Sequence, residues 1–227
     1  AYISQKDKGT LTFALGEDGK SQLQEIPAYA FNKCIGLSGN VNIPNSVTKI
    51  GDYAFAECSS LDGSLTLSDS LVTIGTAAFN KCSSLIGDVK LPDSVTSLGA
   101  TAFKDCESLD GTLKLSVNLT KIPVDAFNGC VKLHGSVEIP DGVTSIETNA
   151  FRDCEGLDGT LTLPGTVKTI KAYAFANCKG LKGALEIPEL VTIVSNEAFL
   201  NCESFTSLTM PDGITDIQKE AFSGCIG

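Results

Sequence analysis

The chain has 227 residues, 42% of them apolar and 19% charged, with a formal charge of −10. That apolar share supports a continuous core beneath a surface of mostly neutral polar residues. The acidic balance, without any cluster of Lys or Arg, argues against binding to nucleic acid or an anionic membrane, because both demand concentrated positive charge. No apolar run approaches the roughly 20 residues needed to cross a bilayer, and the opening Ala1-Tyr2-Ile3-Ser4 lacks the apolar core of a secretion signal.

The first elements are irregular. Leu11-Thr12-Phe13 reaches Leu23 through Gly16-Glu17-Asp18-Gly19-Lys20, six residues more than the equivalent link from Val41 to Val47, which predicts a hairpin-like cap or a surface loop. From Phe31 onward one unit recurs. Ala-Phe, followed by Cys three residues after the Phe, stands at Phe31, Phe55, Phe79, Phe103, Phe127, Phe151, Phe175, Phe199 and Phe222. The cysteines are 24 residues apart, shortening to 23 at the last step. A fixed period of this length is the signature of a solenoid whose units pack on their neighbours. One domain is therefore expected over 1–227, built of about nine units of 24 residues, with 1–34 as an atypical first unit and 203–227 as an incomplete last one. Because the chain stops at Cys225-Ile226-Gly227, inside a unit and without a polar cap, further sequence is expected beyond it.

Within a unit, Val89-Lys90-Leu91 alternates as a half-buried strand does, and Val95-Thr96-Ser97-Leu98 is a second short extended piece. Between them Pro92-Asp93-Ser94, echoed at Pro44, Pro140 and Pro211, predicts a turn, since Pro fixes φ and the polar side chains bond local backbone. Ala102-Phe103 and Cys106 have helical spacing over too short a run for an independent helix, so a single turn of α or 3-10 helix is expected. Pro27 and Pro123 replace the Gly found at Gly51, Gly75 and Gly99, just ahead of that turn, where Pro is tolerated. Parallel coils about 4.8 Å apart would set the Phe residues in an aromatic ladder.

Val41-Asn42-Ile43-Pro44, then Val47-Thr48-Lys49-Ile50, Ala54-Phe55, Cys58 and Leu61 match, position by position, the pattern of the BspA-like leucine-rich repeats, which the chain resembles over nearly its whole length. One departure is regular. An added residue, usually Gly (Gly39, Gly63, Gly87, Gly111, Gly135, Gly159 and Gly183), lengthens the unit to 24, and it is missing at Phe205-Thr206-Ser207-Leu208. The resemblance implies an α/β repeat solenoid, a right-handed superhelix of stacked parallel short strands with short helical or 3-10 turns. It also implies a secreted or cell-surface setting in a bacterium or a protozoan, and binding to host matrix proteins or to other cells.

Little in the chain suggests catalysis. The nine cysteines are odd in number, and their phase, three after Phe and ahead of an inward Leu, fits small buried thiols better than disulfides or metal ligands. The single histidine, His134, sits where other units carry Asp62, Asp110, Asp158 or Lys182, an exposed corner, so no Ser or Cys nucleophile has a second His. Asp93, Asp141 and Asp212 follow turn prolines and are read as turn residues. Asp62-Gly63, Asp110-Gly111 and Asp158-Gly159 recur only in alternate units, so a repeated calcium cage is missing and turn formation explains them. Asn118-Leu119-Thr120 is a formal glycosylation acceptor in a eukaryotic secretory route. No enzyme activity, cofactor or metal is expected.

A ligand would instead meet columns that the core does not dictate. Asn42, Thr66, Lys90, Lys114, Glu138, Thr162, Glu186 and Thr209 form the candidate binding column, beside the small-residue column Asn40, Ser64, Asp88, Thr112, Ser136, Thr160, Ala184 and Ser207. A second candidate runs through Lys49, Thr73, Ser97, Lys121, Ser145, Thr169, Ile193 and Asp216. The expected function is a non-enzymatic protein-interaction or adhesion module with an extracellular or host matrix protein as partner. The rival readings are a structural spacer in a longer surface protein and a carbohydrate-recognition module that would use Tyr29, Tyr53 and Tyr173, which share one column.

Overall fold

The computed structural model describes residues 9–13 and 21–225; the predicted cap at Gly16–Lys20 and the two ends of the chain lie outside them. The chain winds through stacked coils, and the alternation read from the sequence places Val89 and Leu91 inside and Lys90 outside. Most coils offer only two-residue strands, so the fold's cohesion lies between coils.

One side of the stack carries parallel ladders through the second extended piece. Glu25–Ile26, Lys49–Ile50, Thr73–Ile74 and Ser97–Leu98 form a four-stranded sheet, and Lys121–Ile122, Ser145–Ile146, Thr169–Ile170, Ile193–Val194 and Asp216–Ile217 a five-stranded one. The interruption has a chemical cause. The amides of Gly51, Gly75, Gly99, Glu147, Lys171 and Gln218 each donate to a carbonyl of the preceding coil at 2.8–2.9 Å. Pro123 holds that position in its coil and has no N–H to give the Leu98 carbonyl. Proline is tolerated sterically there, as expected from the sequence, but it breaks the ladder.

Among the described residues no segment is helical. Where a single α or 3-10 turn was expected, successive amides alternate between two kinds of partner. Those of Tyr53, Phe55 and Glu57 donate to the carbonyls of Thr76, Ala78 and Asn80 in the next coil, at 2.8, 2.8 and 2.7 Å. Those of Ala54, Ala56 and Cys58 close turns onto Gly51, Tyr53 and Phe55 at 3.2–3.3 Å. Tyr53 and Glu57 take the left-handed φ of 56° and 59° that this alternation needs, and a left-handed residue ends a right-handed helix. The motif is thus a chain of turns that doubles as a third intercoil ladder.

The core follows the same stacking. Phe rings from Phe31 to Phe222 lie nearly parallel, with centroids 5.0–5.7 Å apart. The cysteines from Cys58 to Cys202 are buried and free, while Cys34 and Cys225 are half-buried. They do more than fill space: the Cys82 thiol donates to the Phe55 carbonyl at 3.1 Å, and the same bond recurs from Cys58 to Cys225.

Candidate functional site

The first extended piece of each coil builds the candidate face, and its strands pair in twos. Val41–Asn42 joins Leu65–Thr66, Val89–Lys90 joins Leu113–Lys114, Val137–Glu138 joins Leu161–Thr162, and Gly183–Glu186 joins Phe205–Thr209. Between these doublets the ladder shrinks to a single bridge, Ser64 with Ile86, Thr112 with His134 and Thr160 with Lys182.

Glycine conformation sets the alternation. Gly39, Gly87, Gly135 and Gly183, which open the first coil of each doublet, have φ between 80° and 85°, a region reserved for glycine. The freed amides of Gly39, Gly87 and Gly135 donate to Asp62, Asp110 and Asp158 at 2.7–2.8 Å. The glycine after each of those aspartates has an ordinary φ and is needed for a different reason. A Cβ on Gly111 would lie 2.5 Å from the Asp88 amide nitrogen. The alternate Asp-Gly pairs are therefore clamps between two coils, beyond the local turns expected of them.

All eight residues of the candidate column, Asn42, Thr66, Lys90, Lys114, Glu138, Thr162, Glu186 and Thr209, are exposed. The gaps between doublets gather five of them into two neighbouring depressions. One, of about 450 Å³, is lined by Leu65, Thr66, Leu67, Lys90, Pro92 and Lys114 among others. The next, of about 600 Å³, is lined by Lys114, Val117, Glu138, Ile139, Pro140 and Thr162 among others. Lys114 belongs to both. Asn42, Glu186 and Thr209 line neither.

Asp88 of the small-residue column and the turn residue Asp93 shape this surface. Lys90 Nζ lies 2.6 Å from Asp88 and Lys114 Nζ 3.5 Å from Asp93. The lysine step is therefore neutralised in place. The Lys90 ammonium, followed by the Thr112 amide and hydroxyl, holds the Asp88 carboxyl down at about 2. The small-residue column is likewise occupied by cross-coil bonds: Asn40, Asp88 and Ser136 accept from the amides of Ser64, Thr112 and Thr160 at 2.7–3.0 Å. The signal for this pairing is the alternation of Val41, Val89 and Val137 with Leu65, Leu113 and Leu161, a period of 48.

Elsewhere the residues offer little reactive chemistry. His134 is exposed. Burial pushes the Cys58 thiol up to about 12 and those of Cys82, Cys106, Cys130 and Cys154 well up, which removes the nucleophilic thiolate at neutral pH. Among the described residues no group of three or more His, Cys, Asp or Glu side chains is placed to hold a metal ion. In the second column Lys49, Ser97, Lys121, Thr169, Ile193 and Asp216 are exposed and Thr73 and Ser145 half-buried. The tyrosines form no common platform: Tyr29 and Tyr53 stack with centroids 5.0 Å apart, whereas Tyr173 lies under Arg152 and donates its hydroxyl to Glu197 at 3.0 Å.

No curated protein matches the chain. Among solved structures it is similar to the leucine rich repeat protein of T. pallidum, with 30% identity, a TM-score of 0.66, and coverage of 79% of this chain and 80% of that one. A leucine rich cell surface protein of Faecalibacterium prausnitzii is 27% identical at a TM-score of 0.65, covering 92% of this chain and 64% of that one. A leucine-rich repeat protein of Eubacterium ventriosum is 28% identical at a TM-score of 0.59, covering 72% of this chain and 42% of that one. The model of the BspA type leucine rich repeat region matches six copies over residues 24–158 and 159–227, and with the Phe stack, the paired strands and the T. pallidum likeness this makes the chain a member of the BspA-type leucine-rich repeat family.

Proposed function

We propose that the chain is a non-enzymatic binding module that takes a protein partner on the strand face around Lys114. Leucine-rich repeat proteins generally serve as protein-interaction scaffolds, and a secreted or cell-surface setting agrees with the name of the F. prausnitzii relative. The observation that carries the reading is the pair of adjoining depressions, which share Lys114 and place Thr66, Lys90, Glu138 and Thr162 around apolar floors. Apolar floor with a polar, ion-paired rim is the anatomy of a protein interface. Such rim pairs set orientation and partner choice more than affinity.

The test is binding to extracellular-matrix proteins at about 150 mM salt, where exposed charge beyond the Debye length is screened. Saturable binding that weakens about tenfold or more in Lys90→Glu/Lys114→Glu, in protein that remains folded, supports this face. Absence of binding by folded protein favours the structural spacer. The glycan reading has one observation behind it, the exposed Tyr29 and Tyr53 stack. Glycan binding lost in Tyr53→Ala, at unchanged stability, would replace the protein-partner reading.

A further inference from the structure

We infer that the two depressions on the strand face are slots for an extended peptide segment of the partner, one that carries hydroxyl or carboxamide side chains at alternate positions. The inference rests on the protein-partner reading and names the chemistry that face would recognise. Its basis is a row of backbone groups left without mates. In each of the first three doublets the first coil donates to the second: Val41 and Ile43 to Ser64 and Thr66, Val89 and Leu91 to Thr112 and Lys114, Val137 and Ile139 to Thr160 and Thr162, all at 2.8–3.0 Å. The second coil does not repeat this toward the coil after it. Among the described residues the amides of Leu65 and Leu67 donate to no protein group, and the carbonyls of Asp88 and Lys90, which would accept them in a continued ladder, receive no hydrogen bond. One doublet on, the amides of Leu113 and Leu115 and the carbonyls of Ser136 and Glu138 stand in the same relation. All eight residues line the two depressions.

Each slot is pinned at one end, where the Ile86 amide donates to Gly63 and the His134 amide to Gly111, at 3.1 and 3.0 Å. Beyond that point one wall offers donors and the other acceptors. A carboxylate, which only accepts, would leave the carbonyls unpaired, and an ammonium, which only donates, would leave the amides so. Lys90 and Lys114 are held by Asp88 and Asp93, so neither is free to favour an anion. A hydroxyl or a carboxamide both donates and accepts, and one such group bridges an amide to the carbonyl opposite. Two bridges are needed in each slot, two residues apart along the strand, or about 6.6 Å. Side chains at i and i+2 of an extended chain lie on one face at that same spacing. Water can make these bridges in the free protein, and a side chain that displaces it gains only if it reproduces the bonds.

The test uses two decapeptides, one alternating Thr with Lys and one alternating Val with Lys, followed by NMR titration and amide hydrogen exchange. Lys suits the acidic balance of the chain, and Val keeps the shape of Thr while lacking its hydroxyl. In the free protein the amides of Leu65, Leu67, Leu113 and Leu115 should exchange about tenfold or more faster than those of Val89, Leu91, Val137 and Ile139, which are bonded within doublets. Equal protection overturns the inference at once. The Thr peptide should then bind about tenfold or more tighter than the Val peptide and slow exchange at those four amides, because a site built to hydrogen-bond rejects the analogue that cannot. Tighter or equal binding of the Val peptide, binding that leaves the four amides unprotected, or no binding of the Thr peptide up to about 1 mM would each overturn it. A matrix protein whose binding weakens in Lys90→Glu/Lys114→Glu but leaves the four amides unprotected overturns the slots alone, and the protein-partner reading stands.

Discussion

A single Phe shows how the stacked core distributes stability. Phe127 is fully buried between Phe103 and Phe151, whereas Phe222 stacks on Phe199 and is only half-buried. Truncation removes the transfer energy of the ring and leaves a cavity that rigid neighbours above and below cannot close. Phe127→Ala should therefore cost about 3–5 kcal/mol in denaturant unfolding. Phe222→Ala should cost clearly less, and an equal loss at both positions would show that the stack does not carry the core. This much was legible in the sequence, because Phe at a fixed period with buried neighbours admits few other arrangements. The turn motif around it was not. Ala54-Phe55 and Cys58 have helical spacing, but hydrogen bonds to Thr76, Ala78 and Asn80 hold alternate amides in the next coil, and no single unit displays that partner.

The doublet of paired strands explains why one glycine is replaceable and another is not. Gly111 faces the backbone of Asp88 at a distance no Cβ can occupy, while an added Cβ at Gly165 meets nothing within 4 Å. Gly111→Ala should lose about 1–3 kcal/mol through forced separation of the two strands. Gly165→Ala should stay within about 0.5 kcal/mol of the parent in the same unfolding experiment. The bond of Asp88 to Lys90 and Thr112 across the doublet has a pH signature. Asp88 titrates at about 2 in the folded chain, held down chiefly by Lys90, below the ordinary value of about 3.9 for an unfolded Asp. A lowered folded pKa contributes stability that is complete above the unfolded value and disappears as pH falls toward the folded one. Melting temperature should then drop more steeply between about pH 4 and pH 2 in the parent than in Asp88→Asn. Parallel curves would mean that Asp88 is not held in its ionised form by Lys90 and Thr112. Of this candidate site, the exposed column could be read from alternation alone. The doublets left only a faint trace there, the alternation of Val41, Val89 and Val137 with Leu65, Leu113 and Leu161, because the residue type Gly does not show that Gly87 takes a left-handed φ while Gly111 is a point of close approach.

Doublets make the molecule a solenoid with a 48-residue period laid over the 24-residue one, and the two periods predict different tolerance to deletion. Removing 136–183 joins Gly135 to Ala184, so a glycine that opens a first coil is followed again by a first coil. Both deletions take away Asp158, which accepts the Gly135 amide at 2.8 Å, and both keep the Gly39–Asp62 and Gly87–Asp110 clamps. Removing only 136–159 differs in joining Gly135 to Thr160, a second-coil residue. Leu161–Thr162 would then lose its first-coil partner Val137–Glu138 and lie beside Leu113–Lys114, a second-coil strand already paired with Val89–Lys90. Stability in a repeat array is roughly the sum of each unit's own energy and its interfaces, so the larger deletion would ordinarily be the more damaging. The doublet structure reverses that order. The protein lacking 48 residues should melt above the protein lacking 24. Melting that tracks the number of residues removed would show that coils stack independently and that the gaps on the strand face are incidental to its architecture.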